Sequence, residues 1–462
     1  MKQALTLTTG MRDQRSHLHA FTDPRAQEAT PPLVITGGDG VYVTDERGRH
    51  LIDAMSGLWC AALGFSEPRL VEAAERQMRA LPFNHTFRGR THPVVVDLAE
   101  RLLDLSPVPM GRVFFAGSGS EANESALRIA WTFGRAVGKS AAHKVIARHG
   151  AYHGSTFATA ALSGAPDASR AACPPAPWVR LVSCPDPAHA QPGEGGLTQS
   201  RRLAAELAAL IEAEGPETFA AFIAEPVMGV GGVIVPPEGY FPAIQAVLRR
   251  HGIPLIVDEV ITGFGRTGHW WGSQAFGIEP DILVCAKALS SAYMPISAVL
   301  VSAQVHEALL ADAARSGVFG HGFTASGHPV AAAVALEALT IYAERDLPAH
   351  AGRMGERLQQ GLAARFGARA EVAALRGCGL MAALELVAEL PQGAAELVGL
   401  ALEEGLILRP IGRSLVMAPP LVITAREIDE ILDRLDRAFA RIQTGAQTMA
   451  APLPEIEKTG TE

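Results

Sequence analysis

From about residue 112 onward, short apolar runs alternate with amphipathic stretches, and this alternation constrains the fold more than any other feature of the chain. The runs fall at 112–116 (RVFFA), 144–147, 179–183, 219–224, 253–257, 282–286 and 298–302. Between them, stretches such as 121–135 and 197–214 repeat apolar residues at helical spacing. Strands alternating with helices predict an α/β fold whose mostly parallel sheet is covered on both faces. The chain has 462 residues, of which 48% are hydrophobic and 19% charged, so it can bury a large core and is not globally disordered.

The two ends read differently. Up to about Gly57 the chain is turn-rich, with GGDG at 37–40 and a hairpin pattern at 41–53. After about residue 326 it is rich in helical patterns (330–343, 352–365), with candidate strands at 380–386 and 406–408. An amphipathic helix is expected at 425–442, capped by Thr424. Pro- and Gly-rich stretches at 164–177 and 185–196 read as surface loops. We therefore expect a large domain over 58–325 and a smaller α+β domain formed by 1–57 and 326–450, with 451–462 as a flexible tail.

Composition removes several classes of function. Forty basic against 48 acidic residues leave a net charge of −8, which argues against nucleic acid or anionic lipid as the main partner. No stretch is long and apolar enough to suggest a membrane helix, and the first dozen residues lack the apolar core of a secretory signal. The five cysteines are odd in number, scattered and never in a C-x-x-C pair. Neither a disulfide framework nor a metal site is expected, and a cytoplasmic location is the default.

Three local signals carry chemistry. In VFFAGSGSEANE (113–124), a strand runs through a Gly/Ser turn into a helix. Gly117 and Gly119 allow close backbone approach, while Ser118 and Ser120 bring hydroxyls to a helix N-terminus, an arrangement suited to phosphate. An ordinary turn with a serine cap is the competing reading. In 253–258 (IPLIVD), five residues lead to Asp258 at the carboxyl end of a buried strand, where sheets of this kind place ligands; a structural ion pair is the alternative. Lys287 follows a similar run, DILVCAK. Burial would favour its neutral amine, as carbonyl chemistry requires, whereas a surface lysine is the plainer possibility. Taken together, an anion cradle, a strand-end acid and a strand-end lysine match the phosphate, ring nitrogen and aldehyde of pyridoxal 5'-phosphate.

Along almost its whole length the sequence resembles the class III pyridoxal-phosphate aminotransferases of fold type I. The resemblance rests on GLWCAALG (57–64), GSGSEANE (117–124), YHGST (152–156), EPVMGVGGVIVPPEGYF (225–241), DEVITGFGRTG (258–268), AKALSS (286–291), HGFTASGHP (321–329), and LILRPIG with APPLVIT within 406–424. Within that class it is most similar to the ω-amino acid or amine:pyruvate transaminases. The resemblance implies a large domain with a mostly parallel seven-stranded sheet and a ping-pong exchange between an amine donor and a keto-acid acceptor. Lys287 would hold the cofactor's aldehyde and shuttle protons, and Asp258 would keep the pyridine nitrogen protonated. Tyr152 and Val260 would sandwich the ring. Ser118, Gly119 and Ser120 would bind the phosphate with Thr324 of a neighbouring subunit, which makes the expected assembly a homodimer with shared active sites; pairing of dimers into tetramers is left open. His153, beside Tyr152, reads equally as a core or a catalytic histidine.

On the substrate side, the resemblance gives Arg409 the place of a mobile carboxylate-binding arginine. Relatives that use 2-oxoglutarate often carry a Glu that pairs with it, where this chain has Val230 (EPVMGV). An unclamped Arg409 favours pyruvate or another short keto acid. Trp59, Phe87 and Phe323 match pocket-lining positions. Arg88 stands where relatives often have an aromatic, and Ala288 and Ala292 replace glycines common after the lysine. Two rival functions remain at this level: an aminomutase or racemase on the same scaffold, and a cofactor-binding regulator.

Overall fold

The computed structural model describes residues 7–164, 176–388, 390 and 393–445. The expected tail at 451–462, and all but the edges of the loop expected at 164–177, lie outside the described residues. Near the N-terminus, β1 (Ile35–Asp39), β2 (Tyr42–Asp45) and β3 (His50–Asp53) form an antiparallel meander.

The central sheet contains β4 (Arg112–Ala116), β5 (Lys144–Arg148), β6 (Val179–Val182), β7 (Phe219–Ala224), β8 (Leu255–Asp258), β9 (Ile282–Cys285) and β10 (Ser297–Val301). Their spatial order is β4-β10-β9-β8-β7-β5-β6. Only β10 runs against its neighbours; the pairings among β9, β8, β7, β5 and β6 are parallel. The strands lie where the apolar runs predicted them, with shifts of one or two residues at their ends: β8 begins at Leu255 because Pro254 has no N–H for the ladder.

Helices on both faces explain why these strands read as unbroken apolar runs. Every residue of β7, FAAFIA, is buried. Ala221 and Ile223 pack with Ala126 and Ile129 of the Gly119–Ala136 helix on one face. Phe222 and Ala224 meet Leu207 and Ile244 on the other, from the helices Gly196–Glu214 and Tyr240–His251. The period-two alternation of side chains thus fills two cores at once.

The remaining sheet joins β11 (Val372–Cys378), β12 (Met381–Leu386), β14 (Arg409–Ile411) and β15 (Ser414–Met417), all antiparallel, while β13 (Leu406–Ile407) pairs in parallel with β3. Sequence from both chain ends therefore shares one sheet. The last helix, Ala425–Gly445, opens with a reciprocal cap: Glu427 N–H donates to the Thr424 hydroxyl, and Thr424 N–H donates to Glu427 Oε2 at 2.7 Å. Asp429 and Asp433 along it pair with Arg357 and Arg365 of the long helix Leu347–Phe366, and Asp436 pairs with Arg369 just beyond that helix.

Candidate active site

The carboxyl end of β8 delivers Asp258 to the interior, where it is 4% exposed. Three groups converge on its carboxylate. Val260 N–H donates to Oδ1 at 3.1 Å, Asn123 Nδ2 donates to Oδ2 at 2.7 Å, and His153 Nδ1 lies 2.9 Å from Oδ2. A buried charge needs this density of partners. Asn123 sits one turn into the Gly119–Ala136 helix and also donates to the His153 carbonyl at 2.9 Å, so one amide fixes both the acid and the loop carrying its imidazole neighbour. His153 is therefore a direct partner of Asp258. Its Nε2 is buried and has no hydrogen bond among the described residues.

The turn between β4 and that helix contains the cap and the anion cradle together. The Ser118 hydroxyl accepts from Glu121 N–H at 3.2 Å, and the Ser120 hydroxyl accepts from Ser155 N–H at 3.1 Å. The serine-cap reading is thus realised. It leaves both hydroxyl protons available, and the amides of Gly119 and Ser120 donate to no described residue. These are the donors a phosphate takes at a helix N-terminus. At Gly119 a Cβ would stand 3.0 Å from Val260 Cγ1, so glycine lets the turn close on Val260.

Lys287 lies two residues beyond β9, in the left-handed region at φ +50°, opening the 3₁₀ turn Lys287–Ser290. An L-residue held there costs roughly 1–2 kcal/mol, which the packed strand and turn on either side must offset. Although the residue keeps some contact with solvent, desolvation pushes its pKa below the usual lysine value. Cys60, Asp258 and Glu225 oppose that shift and Arg409 adds to it, which puts all four within electrostatic reach of the amine. Among the described lysines, Lys139 donates to the His251 and Gly252 carbonyls and Lys144 pairs with Glu214, whereas the Lys287 amine has no hydrogen bond or ion pair to any described residue.

Glu225, not singled out from the sequence, is 4% exposed and packs behind this group. Its Oε1 accepts from Tyr152 N–H at 3.2 Å and its Oε2 from Gly229 N–H at 3.0 Å; burial pushes its pKa up. It holds the Tyr152 backbone, and the Tyr152 ring meets Phe21 edge-on at 6.5 Å between centroids. Trp59, Val230 and Ile261 share one apolar cluster. Arg409, on β14, makes no side-chain hydrogen bond or ion pair with any described residue, and Val230 offers none.

Of the expected residues, Asp258, Val260, Tyr152, Gly119 and Ser120 form one neighbourhood around Asn123, His153 and Glu225, with Lys287 in electrostatic reach of Asp258 and Glu225. Phe87 packs its ring over Gly322, Phe323 meets His321 edge-on at 5.1 Å, and Arg88 and Thr324 are exposed. Within the single chain no hydrogen bond, ion pair or ring contact among the described residues joins these four to Asp258 or Lys287. Asn123 and Glu225, not singled out from the sequence, could have been found in the quoted motifs as polar residues destined for buried positions, whereas His153 was singled out there.

The arrangement fits pyridoxal phosphate: an acid, an unpartnered amine and two free helix-terminal amides match its nitrogen, aldehyde and phosphate. The Aminotransferase class-III family model matches residues 24–439. A probable mitochondrial γ-aminobutyrate transaminase 2 from Oryza sativa subsp. indica is 45% identical over 428 residues, covering 90% of this chain and 86% of that protein. A mitochondrial γ-aminobutyrate transaminase 1 from Solanum lycopersicum is 45% identical over 426 residues, 90% of this chain and 82% of its own length. Among solved structures, the ω-transaminase from Pseudomonas jessenii in complex with PMP superposes with a TM-score of 0.93 at 45% identity, over 96% of this chain and 100% of that one. The chain belongs to the class III aminotransferase family, whose members use pyridoxal phosphate.

Proposed function

We propose that this class III aminotransferase moves the amino group of an ω-amino acid or primary amine to pyruvate or a similarly short keto acid, in two alternating half-reactions. When bound, pyridoxal phosphate supplies an electrophilic carbon and a pyridinium ring that accepts electrons from the substrate carbon losing its proton. Lys287 would hold the electrophilic carbon and then carry the proton to and from substrate. Its depressed pKa keeps more of the amine neutral, and hence nucleophilic and basic, than an ordinary lysine offers. Asp258, oriented by Asn123 and His153, would hold a proton on the ring nitrogen. The Gly119 and Ser120 amides and the Ser118 and Ser120 hydroxyls would bind phosphate, with Val260 and Tyr152 on either side of the ring.

The exposed Thr324, together with Phe87, Arg88 and Phe323 lying apart from Lys287 within one chain, supports a homodimer in which each subunit completes the other's site. The apolar cluster of Trp59 and Val230 supports one wall for alkyl or aryl groups. The γ-aminobutyrate and ω-transaminase names of the relatives support donors whose amine lies far from any carboxylate.

The acceptor reading rests on one observation: Arg409 has no carboxylate partner among the described residues, and Val230 cannot supply one. A free guanidinium can take the carboxylate of a short keto acid through charge-assisted bonds of about 1.5–3 kcal/mol each. Presenting the aminated enzyme with pyruvate and with 2-oxoglutarate in single-turnover experiments tests this. Faster reaction with pyruvate is expected; preference for 2-oxoglutarate overturns the acceptor assignment.

A further inference from the structure

Outside the active site, the N-terminal segment gathers two imidazoles and a carboxylate that take no part in the proposed transamination. Asp13 lies on the helix Thr9–Ser16, His17 caps that helix, and His19 follows two residues later. Asp13 Oδ1 is 3.1 Å from His17 Nδ1 and Oδ2 is 2.7 Å from His19 Nε2; one ligand atom from each residue lies within 4.8 Å of the other two. Asp13 Oδ2 is closed to solvent, with the His19 imidazole beside it.

The loop that presents these atoms is built rather than loose. The buried Gln27 side chain accepts from His19 N–H at 3.2 Å and donates to the His17 carbonyl, clamping the histidines from both sides. Gln14 Nε2 in turn donates to the Gln27 and Glu28 carbonyls at 2.9 and 3.1 Å. His17 is exposed, which gives an ion a path in.

We propose that Asp13, His17 and His19 form a site for a borderline divalent cation of the zinc type, which pins the segment carrying Phe21 against Tyr152. Two imidazole nitrogens and one carboxylate oxygen are a donor set that such ions favour over magnesium or calcium. Metal–ligand distances of about 2.0–2.2 Å in tetrahedral geometry need ligand atoms slightly farther apart than 2.7 Å, an opening that side-chain rotation supplies. Water completes the coordination. Phe21, two residues beyond His19, is left-handed at φ +50° and meets the Tyr152 ring, so fixing His19 fixes the approach of Phe21.

The test is calorimetric titration of Zn2+ into chelator-treated enzyme loaded with pyridoxal phosphate, beside the double variant His17→Gln/His19→Gln and the single variant Asp13→Asn. The wild type is expected to take up one equivalent per chain, and the double variant to lose it while keeping the wild-type melting temperature and cofactor absorbance in zinc-free buffer. Zn2+ should also slow proteolysis between residues 7 and 30 in the wild type alone. Equal uptake by wild type and double variant, or no uptake by the wild type, overturns the site. Uptake that depends on the triad but leaves proteolysis unchanged overturns the pinning of the segment.

Discussion

His153 Nδ1 stands 2.9 Å from Asp258 Oδ2, and both side chains are closed to solvent. Asn123 bonds the same oxygen and also the His153 backbone, so acid, imidazole and helix N-terminus form one rigid unit at the end of β8. The helix end proposed to bind phosphate and the acid proposed to face the ring nitrogen are therefore positioned by the same side chain.

Asn123→Ala removes a hydrogen bond to a buried carboxylate worth about 1.5–3 kcal/mol. Since 1.4 kcal/mol is a factor of ten, the cofactor should be held roughly 10–100-fold more weakly, measured by equilibrium dialysis of pyridoxal phosphate. Retention at the wild-type level would show that Asp258 keeps its position without Asn123.

Lys287→Ala should lower turnover by at least the roughly 10²–10⁴-fold that a positioned proton carrier contributes, with the visible absorbance of the bound cofactor lost. Circular dichroism should show an unchanged fold.

The depressed Lys287 pKa also makes a stability prediction for the cofactor-free protein. Between its folded value and the ordinary value of 10.5, the unfolded chain binds the proton that the folded chain resists, so this lysine's contribution makes stability rise with pH. At neutral pH Lys287→Met should accordingly melt at a higher temperature than wild type, and the difference should shrink as the pH is raised toward 10.5. Thermal melts of the two apoproteins at several pH values read this directly.

Ser291 and Ala292, after the lysine turn, both occupy the left-handed region, at φ +51° and +63°. Glycine relieves that strain but gains freedom in the unfolded chain. Ala292→Gly should therefore raise stability by at most about 1 kcal/mol in denaturant melts. A loss larger than that would mean that the Ala292 methyl contributes packing the strain argument leaves out.

Arg409→Ala should slow the keto-acid half-reaction by roughly 10–100-fold, the equivalent of one charge-assisted bond, and leave the reaction with a simple monoamine within a few-fold. Stopped-flow traces of the two half-reactions separate these effects. Equal losses in both would make Arg409 structural.

Much of this was legible in the sequence because buried parallel strands must be apolar throughout. FAAFIA and LIVD announce themselves, and the ends of such strands point to Asp258 and Lys287. The second layer was not legible. Nothing in local spacing says that Asn123 reaches a residue 135 positions away, or that Glu225 accepts from Tyr152, because those contacts depend on how β5, β7 and β8 align in the sheet. Ser118 illustrates a different limit: a serine before a helix is both a cap and a potential ligand, and only the fold shows its oxygen accepting from Glu121 while its proton stays free. The left-handed Lys287 has no sequence signature, since an alanine follows it where a glycine would have marked a turn.

Borohydride reduction of the pyridoxal phosphate-loaded enzyme, followed by peptide mass spectrometry, tests the central claim most directly by fixing the cofactor to whichever lysine holds it. The chain has five lysines, at positions 2, 139, 144, 287 and 458. The cofactor mass should appear on the peptide containing Lys287 and nowhere else; a label on another lysine, or on none, would contradict the assignment.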